Sequence, residues 1–144
     1  MRIARFLIHN KVCYGIIQED LIHSLVGDPF KTFGAGREFT LDGKTFPLEE
    51  CKLLAPCLPS KIVCLGVNYR PHAQEMKSSL PGQPLIFLKP PTAVIGPDDP
   101  IVLPRNFKRV DFEGELAIVI GKTAKYVLDE KSREYVLGYT CFND

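Results

Sequence analysis

The chain opens on an alternating run, Met1–Ile8, whose period of two is that of a β-strand. Turn-forming pairs, His9-Asn10 and Glu19-Asp20, separate it from Lys11–Gln18 and Leu21–Val26, so the pattern predicts three successive strands. Phe39–Leu41, Asp42-Gly43 and Lys44–Pro47 predict a hairpin. Phe46–Leu58 reads as extended, punctuated by Pro56 and Pro59. From Lys61 the character changes. Ile62–Leu65 is a short apolar strand ending at Gly66, and Pro71–Lys77 fits one or two helical turns opened by proline. Ser78–Pro84 is a small-residue loop and Leu85–Leu88 a strand. Pro90–Pro104 is too rich in proline to be helical. Val110–Ile120 predicts a long strand, central because Leu116–Ile120 is apolar on both faces. Ser132–Tyr135 suits a short helix, and Val136–Phe142 a last strand.

The pattern is therefore mainly β in an α+β chain, and composition reinforces it. The 12 prolines and 11 glycines divide 144 residues into short segments. With 18 basic and 17 acidic residues the net charge is +1, which argues against a nucleic-acid or anionic-membrane partner. The longest apolar run, Leu116–Gly121, is strand-sized, far short of a membrane span. Met1–His9 lacks the apolar stretch of a secretion signal. The five cysteines, Cys13, Cys51, Cys57, Cys64 and Cys141, show no metal-binding spacing and read as small reduced core residues of a cytoplasmic protein. His9 and His23 read as structural.

Four segments carry candidate chemistry. On a strand through Val110–Ile120, Asp111, Glu113 and Glu115 share one face. Two carboxylates two residues apart repel unless hydrated or bridged by a cation, and a hard divalent ion takes oxygen ligands of this kind. Gly114 weakens a strand unless something approaches its backbone closely. The second segment, Asn68–Glu75, follows a strand end. On a helix His72 and Glu75 lie at i and i+3 on one face, where a carboxylate orients an imidazole to act as a base. The third is Asn143-Asp144 at a strand end. The fourth is Phe87-Leu88-Lys89-Pro90, with Lys89 directly after an apolar strand. Each of these also has an ordinary structural reading: a solvated acidic face, a surface pair, a turn, a surface lysine.

Taken together, the four resemble the fumarylacetoacetate hydrolase family. The residues that carry the resemblance are Gly66-Val67-Asn68-Tyr69 with His72 and Glu75, Phe87–Pro90, Asp111–Leu116, and Gly138–Asp144, in the family's order. It spans Lys61–Asp144 closely. The first ~58 residues are similar, more loosely, to the small N-terminal β domain of bacterial and archaeal members. The resemblance implies a small β domain over residues 1–58, then the first part of a catalytic domain over 59–144 with a partly open mixed β barrel or roll, incomplete at its C-terminus. It implies Mg²⁺ or Mn²⁺, with Ca²⁺ as a third option, held by Glu113, Glu115 and Asp144. His72 and Glu75 correspond to a His-Glu pair on a lid that closes over substrate, and Lys89 to a residue that holds an anionic substrate or supports the site. Family substrates are small anionic 2-oxo and β-diketo acids, and the reactions are C–C bond hydrolysis, decarboxylation and keto–enol isomerisation through a metal-bound enolate. A homodimer is also implied.

Two departures stand out. Val67 occupies a position where many acylpyruvase-like members have arginine. The motifs that follow Asn-Asp in the family do not appear, so the chain reads as the N-terminal part of a longer enzyme, with exposed strand edges and an empty or distorted metal site. The alternative from another class is a non-catalytic, degenerate or truncated β module acting in binding or assembly. A third reading is an unrelated small β protein with an acidic strand.

Overall fold

The computed structural model describes residues 1–77 and 79–144. Ser78, the first residue of the expected Ser78–Pro84 loop, lies outside the described residues. Two compact units are present, one formed by Met1–Pro56 with Gly96–Asp144 and the other by Cys57–Ile95.

The first unit is built on β1 (Arg2–Ile8), β2 (Lys11–Gln18), β3 (Leu21–Leu25), β4 (Leu41–Pro47) and β5 (Lys52–Leu54). They form one antiparallel sheet in the order β4-β3-β2-β1-β5. Alternation sets its buried face: Ala4, Phe6 and Ile8 of β1 point inward, with Phe6 and Ile22 fully enclosed. Phe46 packs against Phe6 with ring centroids 5.9 Å apart, a tilted aromatic pair. Gly15 makes this possible, because a Cβ there would lie 2.4 Å from Ile22 Cγ2 and 2.8 Å from the His23 carbonyl oxygen. His9 packs edge-on against Phe46, and His23 Nδ1 lies 3.2 Å from Thr45 Oγ1.

Several expectations are corrected. Phe39–Pro47 is not a hairpin. Leu41–Pro47 is a single strand along β3, and the Asp42 carboxylate accepts hydrogen bonds from the Lys44 backbone N–H and the buried Ser24 hydroxyl. Leu48–Glu50 forms a 3₁₀ turn inside the stretch expected to be extended. Helix α1 (Pro29–Gly34) was absent from the pattern, which is too short there to show a period. It is opened by Asp28, whose side chain accepts from the Phe30 N–H at 2.8 Å, and by Pro29 at its first position.

The same unit carries β8 (Gly114–Ile120) and β9 (Val136–Asn143), an antiparallel pair. The strand expected over Val110–Ile120 thus begins only at Gly114. Among the described residues β8 pairs with β9 alone, and Leu116, Ile118 and Ile120 are 63%, 57% and 53% exposed. The short helix expected at Ser132–Tyr135 is a 3₁₀ helix, Asp129–Tyr135, which leads into β9. The second unit holds β6 (Ile62–Gly66) paired antiparallel with β7 (Leu85–Lys89), and helix α2 (Arg70–Glu75) between them. Pro91–Ala93 makes one 3₁₀ turn in the proline-rich stretch. Cys13, Cys51, Cys57 and Cys64 are half-buried, whereas Cys141 is exposed on β9 and is not a core residue. Among the described residues no helix is long and apolar enough to cross a membrane.

Candidate active site

The β8–β9 ladder places the acidic residues. Gly114 pairs with Asn143 and Glu115 with Phe142. One step beyond the strand, the Asp144 N–H donates to the Glu113 carbonyl at 2.9 Å, and the Asn143 side-chain oxygen accepts from the Glu113 N–H at 2.8 Å. The register therefore continues to a Glu113–Asp144 pair at the end of the ladder. Directly opposite residues share a face, with Cβ atoms roughly 5 Å apart. Glu115, two residues along, lies on that same face. Glu113, Glu115 and Asp144 are thus brought to one face of one ladder end, with Glu113 exposed and the other two half-buried. Asp111, expected on this face, precedes the strand and pairs instead with Arg109 Nε at 2.8 Å.

Three carboxylates offer an all-oxygen donor set of the kind hard divalent cations take. Donor chemistry and backbone register fit such an ion. The side chains as they stand are not drawn together, for among the described residues no three His, Cys, Asp or Glu side chains form a group that could hold a metal.

The His-Glu pair sits in the other unit. Helix α2 starts at Arg70-Pro71, where proline suits the first turn, and it presents His72 and Glu75 on one face. His72 Nδ1 lies 3.7 Å from Glu75 Oε2, within ion-pair range but beyond a hydrogen bond. Both side chains are largely exposed, and only Ala73 of the helix is buried. Lys89 ends β7, its ammonium 5.9 Å from the Phe87 ring centroid.

Sequence reasoning missed one link between elements. Lys122, just after β8, lies over two rings, Tyr135 at 4.7 Å and Phe33 of α1 at 5.9 Å. It ties α1 to the β8–β9 pair, and no local signal marks it.

Comparison with known proteins gives the chain's family. The family model described as fumarylacetoacetate (FAA) hydrolase C-terminal matches residues 61–144, and the model described as Rv2993c-like, N-terminal matches residues 1–56. The chain belongs to the fumarylacetoacetate hydrolase family. An uncharacterised protein of Archaeoglobus fulgidus is 49% identical over 109 residues, which is 76% of this chain and 44% of that protein. A mitochondrial oxaloacetate tautomerase of Xenopus laevis is 44% identical over 64% of this chain and 29% of its own length. Among solved structures, 5-carboxymethyl-2-hydroxymuconate delta-isomerase from Mycobacterium smegmatis has a TM-score of 0.85 at 38% identity, covering 100% of this chain and 54% of that one. Maleylpyruvate hydrolase from Sphingobium sp. SYK-6, in complex with manganese(II) and pyruvate, has a TM-score of 0.73 at 30% identity, covering 100% of this chain and 58% of that one. The fold is accordingly the mainly β fold of this family, and the chain spans about half the length of the relatives it matches.

Proposed function

We propose that this chain carries catalytic residues of a divalent-metal-dependent enzyme acting on small 2-oxo or β-diketo acids. The observation that carries the reading is the β8–β9 register, which sets Glu113, Glu115 and Asp144 on one face. Relatives named as an oxaloacetate tautomerase, a hydroxymuconate isomerase and a maleylpyruvate hydrolase support the substrate class.

In this reading the three carboxylates hold Mg²⁺ or Mn²⁺, with Ca²⁺ as an alternative. The ion, when bound, supplies a positive charge that polarises the substrate carbonyl and favours loss of a neighbouring proton or group. Glu75, with Oε2 3.7 Å from His72 Nδ1, is in this reading the group that orients the imidazole, and Nε2 is the base. That nitrogen takes a proton from water in hydrolysis, or from the carbon next to the carbonyl in isomerisation. Lys89, a cation on the last residue of β7, balances the substrate's carboxylate charge. A homodimer, a cytoplasmic location and a division into modules 1–58 and 59–144 belong to the same proposal.

The test uses the complete protein, calorimetric titration with Mn²⁺, and turnover of oxaloacetate, maleylpyruvate and hydroxymuconate-type dioates. Glu113→Ala is expected to weaken Mn²⁺ binding by more than about tenfold, and unchanged affinity would sink the ligand assignment. His72→Ala is expected to lower kcat by about a hundredfold or more with metal affinity kept. Equal loss of both would make His72 structural. No turnover of any of these acids would favour the non-catalytic reading.

A further inference from the structure

Of the Asn143-Asp144 motif, the proposed carboxylate set uses only the aspartate. The asparagine closes a gap in the ladder. Strand β8 begins at Gly114, which pairs with Asn143, so Glu113 stands one residue outside the strand. A hydrogen-bonded pair in an antiparallel ladder exchanges two bonds, each N–H meeting the other residue's carbonyl. Between Glu113 and Asp144 the backbone supplies the bond from the Asp144 N–H to the Glu113 carbonyl, at 2.9 Å. The Glu113 N–H donates instead to Asn143 Oδ1, at 2.8 Å. Because the donor is a backbone N–H, the amide atom facing it is the oxygen. A side-chain carbonyl stands in for a backbone one, and both backbone polar groups of Glu113 are held.

The surroundings of Glu113 give this clasp its weight. Residues 109–113 lie in neither helix nor strand, and Glu113 itself is exposed. Gly114 follows, a residue type with wide backbone freedom, and a Cβ placed there would meet nothing within 4 Å. Packing at Gly114 therefore does not fix the backbone that carries Glu113. Asp111, two residues earlier, is already out of the ladder and accepts from Arg109 Nε at 2.8 Å. Side chains keep to alternate faces only as far as the extended backbone is held, and the Asn143 bond moves that limit from Gly114 to Glu113.

We infer that Asn143 is a positioning residue for Glu113: its side-chain oxygen extends the β8–β9 ladder by one residue and keeps the Glu113 carboxylate on the face of Glu115 and Asp144. Asn143 alternates with Asp144 and so belongs to the opposite face. It acts through the Glu113 backbone and not as a further oxygen ligand. That Glu113 holds a metal rests on the functional reading above; the clasp itself does not.

The test compares Asn143→Leu and Asn143→Asp in the complete protein. Leucine is close in shape and has no acceptor, whereas aspartate keeps an oxygen that accepts from the Glu113 N–H. Without metal, the Glu113 amide is expected to exchange about fivefold faster in Asn143→Leu and to stay within about twofold of the parent in Asn143→Asp. Amides of Leu116, Ala117, Ile118 and Val119 should keep their parental rates in both, which separates a local clasp from general loosening of the ladder. In calorimetric titration, Mn²⁺ affinity is expected to fall about tenfold in Asn143→Leu and to be no more than about threefold weaker in Asn143→Asp. Unchanged Glu113 exchange in Asn143→Leu overturns the clasp. Faster exchange with parental Mn²⁺ affinity overturns the positioning role. Equal loss of affinity in the two variants overturns the acceptor oxygen as the acting group. A parent protein that binds no Mn²⁺ overturns the functional reading, whereas Asn143→Leu binding Mn²⁺ as tightly as a parent that does bind it overturns this inference alone.

Discussion

A methyl group on Gly121 would lie 2.5 Å from Phe33 Cδ1 and 2.7 Å from Leu137 Cβ. The absent side chain is what lets α1 and β9 close on the same point, with Lys122 sandwiched beside it. Gly121→Ala should cost about 1–3 kcal/mol by overpacking, read as a lower denaturant midpoint. Phe33→Leu in the same chain should recover part of the loss. Nothing local in Leu116–Gly121 announces this role, because the residues that crowd Gly121 are remote in sequence. Asp99 is a second case. Its carboxylate accepts from the Gly96 N–H at 2.9 Å and from Lys52 Nζ at 3.0 Å, and these bonds hold its pKa below the ordinary value. A depressed carboxylate contributes stability above its unfolded pKa, about 4, and loses it as pH falls through the lower folded value. Asp99→Asn should therefore lower stability at neutral pH and change little at the acid end, which flattens the acid side of the profile, as followed by thermal unfolding between about pH 3 and 7. The chemistry-bearing residues were far more legible than these, since acidic alternation and an i, i+3 His-Glu pair are local patterns.

Elements with a clear period came through, and so did the short apolar runs that became β6 and β7. β1, β2 and β3 follow their alternation almost to the residue. Helix α1 is six residues long and has no stripe to detect, but Asp28-Pro29 is a readable start signal that the apolar pattern overshadowed. Asp28→Ala should remove the bond to the Phe30 N–H and cost about 1 kcal/mol, measurable by chemical denaturation. The Asp42-Gly43 pair misled for a physical reason. The turn signal is real in isolation, and Gly43 does adopt a φ of 83°, but pairing with β3 on both sides of an irregularity kept the segment one strand. The strand expected over Val110–Ile120 is shorter, beginning at Gly114, which pairs with Asn143 of β9.

At the level of the whole molecule, the order of motifs was the most informative thing in the sequence, because it identified the family when no single motif could. What it could not supply was the surface around them. The outward face of β8 and β9 presents Leu116, Ile118, Ile120 and Tyr139, all more than half exposed, and the β6–β7 ribbon adds Ile86 and Leu88 at 64% and 66%. Apolar strands of this kind beside open edges favour self-association. Leu116→Lys with Ile118→Glu should reduce light scattering of the 144-residue chain at high concentration and leave its unfolding midpoint nearly unchanged.

The irregularity between Val119 and Ile120 has one further effect. Val119 pairs with Gly138 but Ile120 pairs with Val136, so Leu137 is a surplus residue between the connecting segment and the rest of the ladder. It works as a phase reserve. A one-residue slip in a strand sends every following side chain to the opposite face, which would divorce Asp144 from Glu113 and Glu115. A single deletion near the start of β9 can instead be absorbed by consuming Leu137, leaving the acidic end in step. Length variation there is buffered, whereas a deletion of the same size between Tyr139 and Asn143 lies beyond Leu137 and puts the pairing next to it out of step.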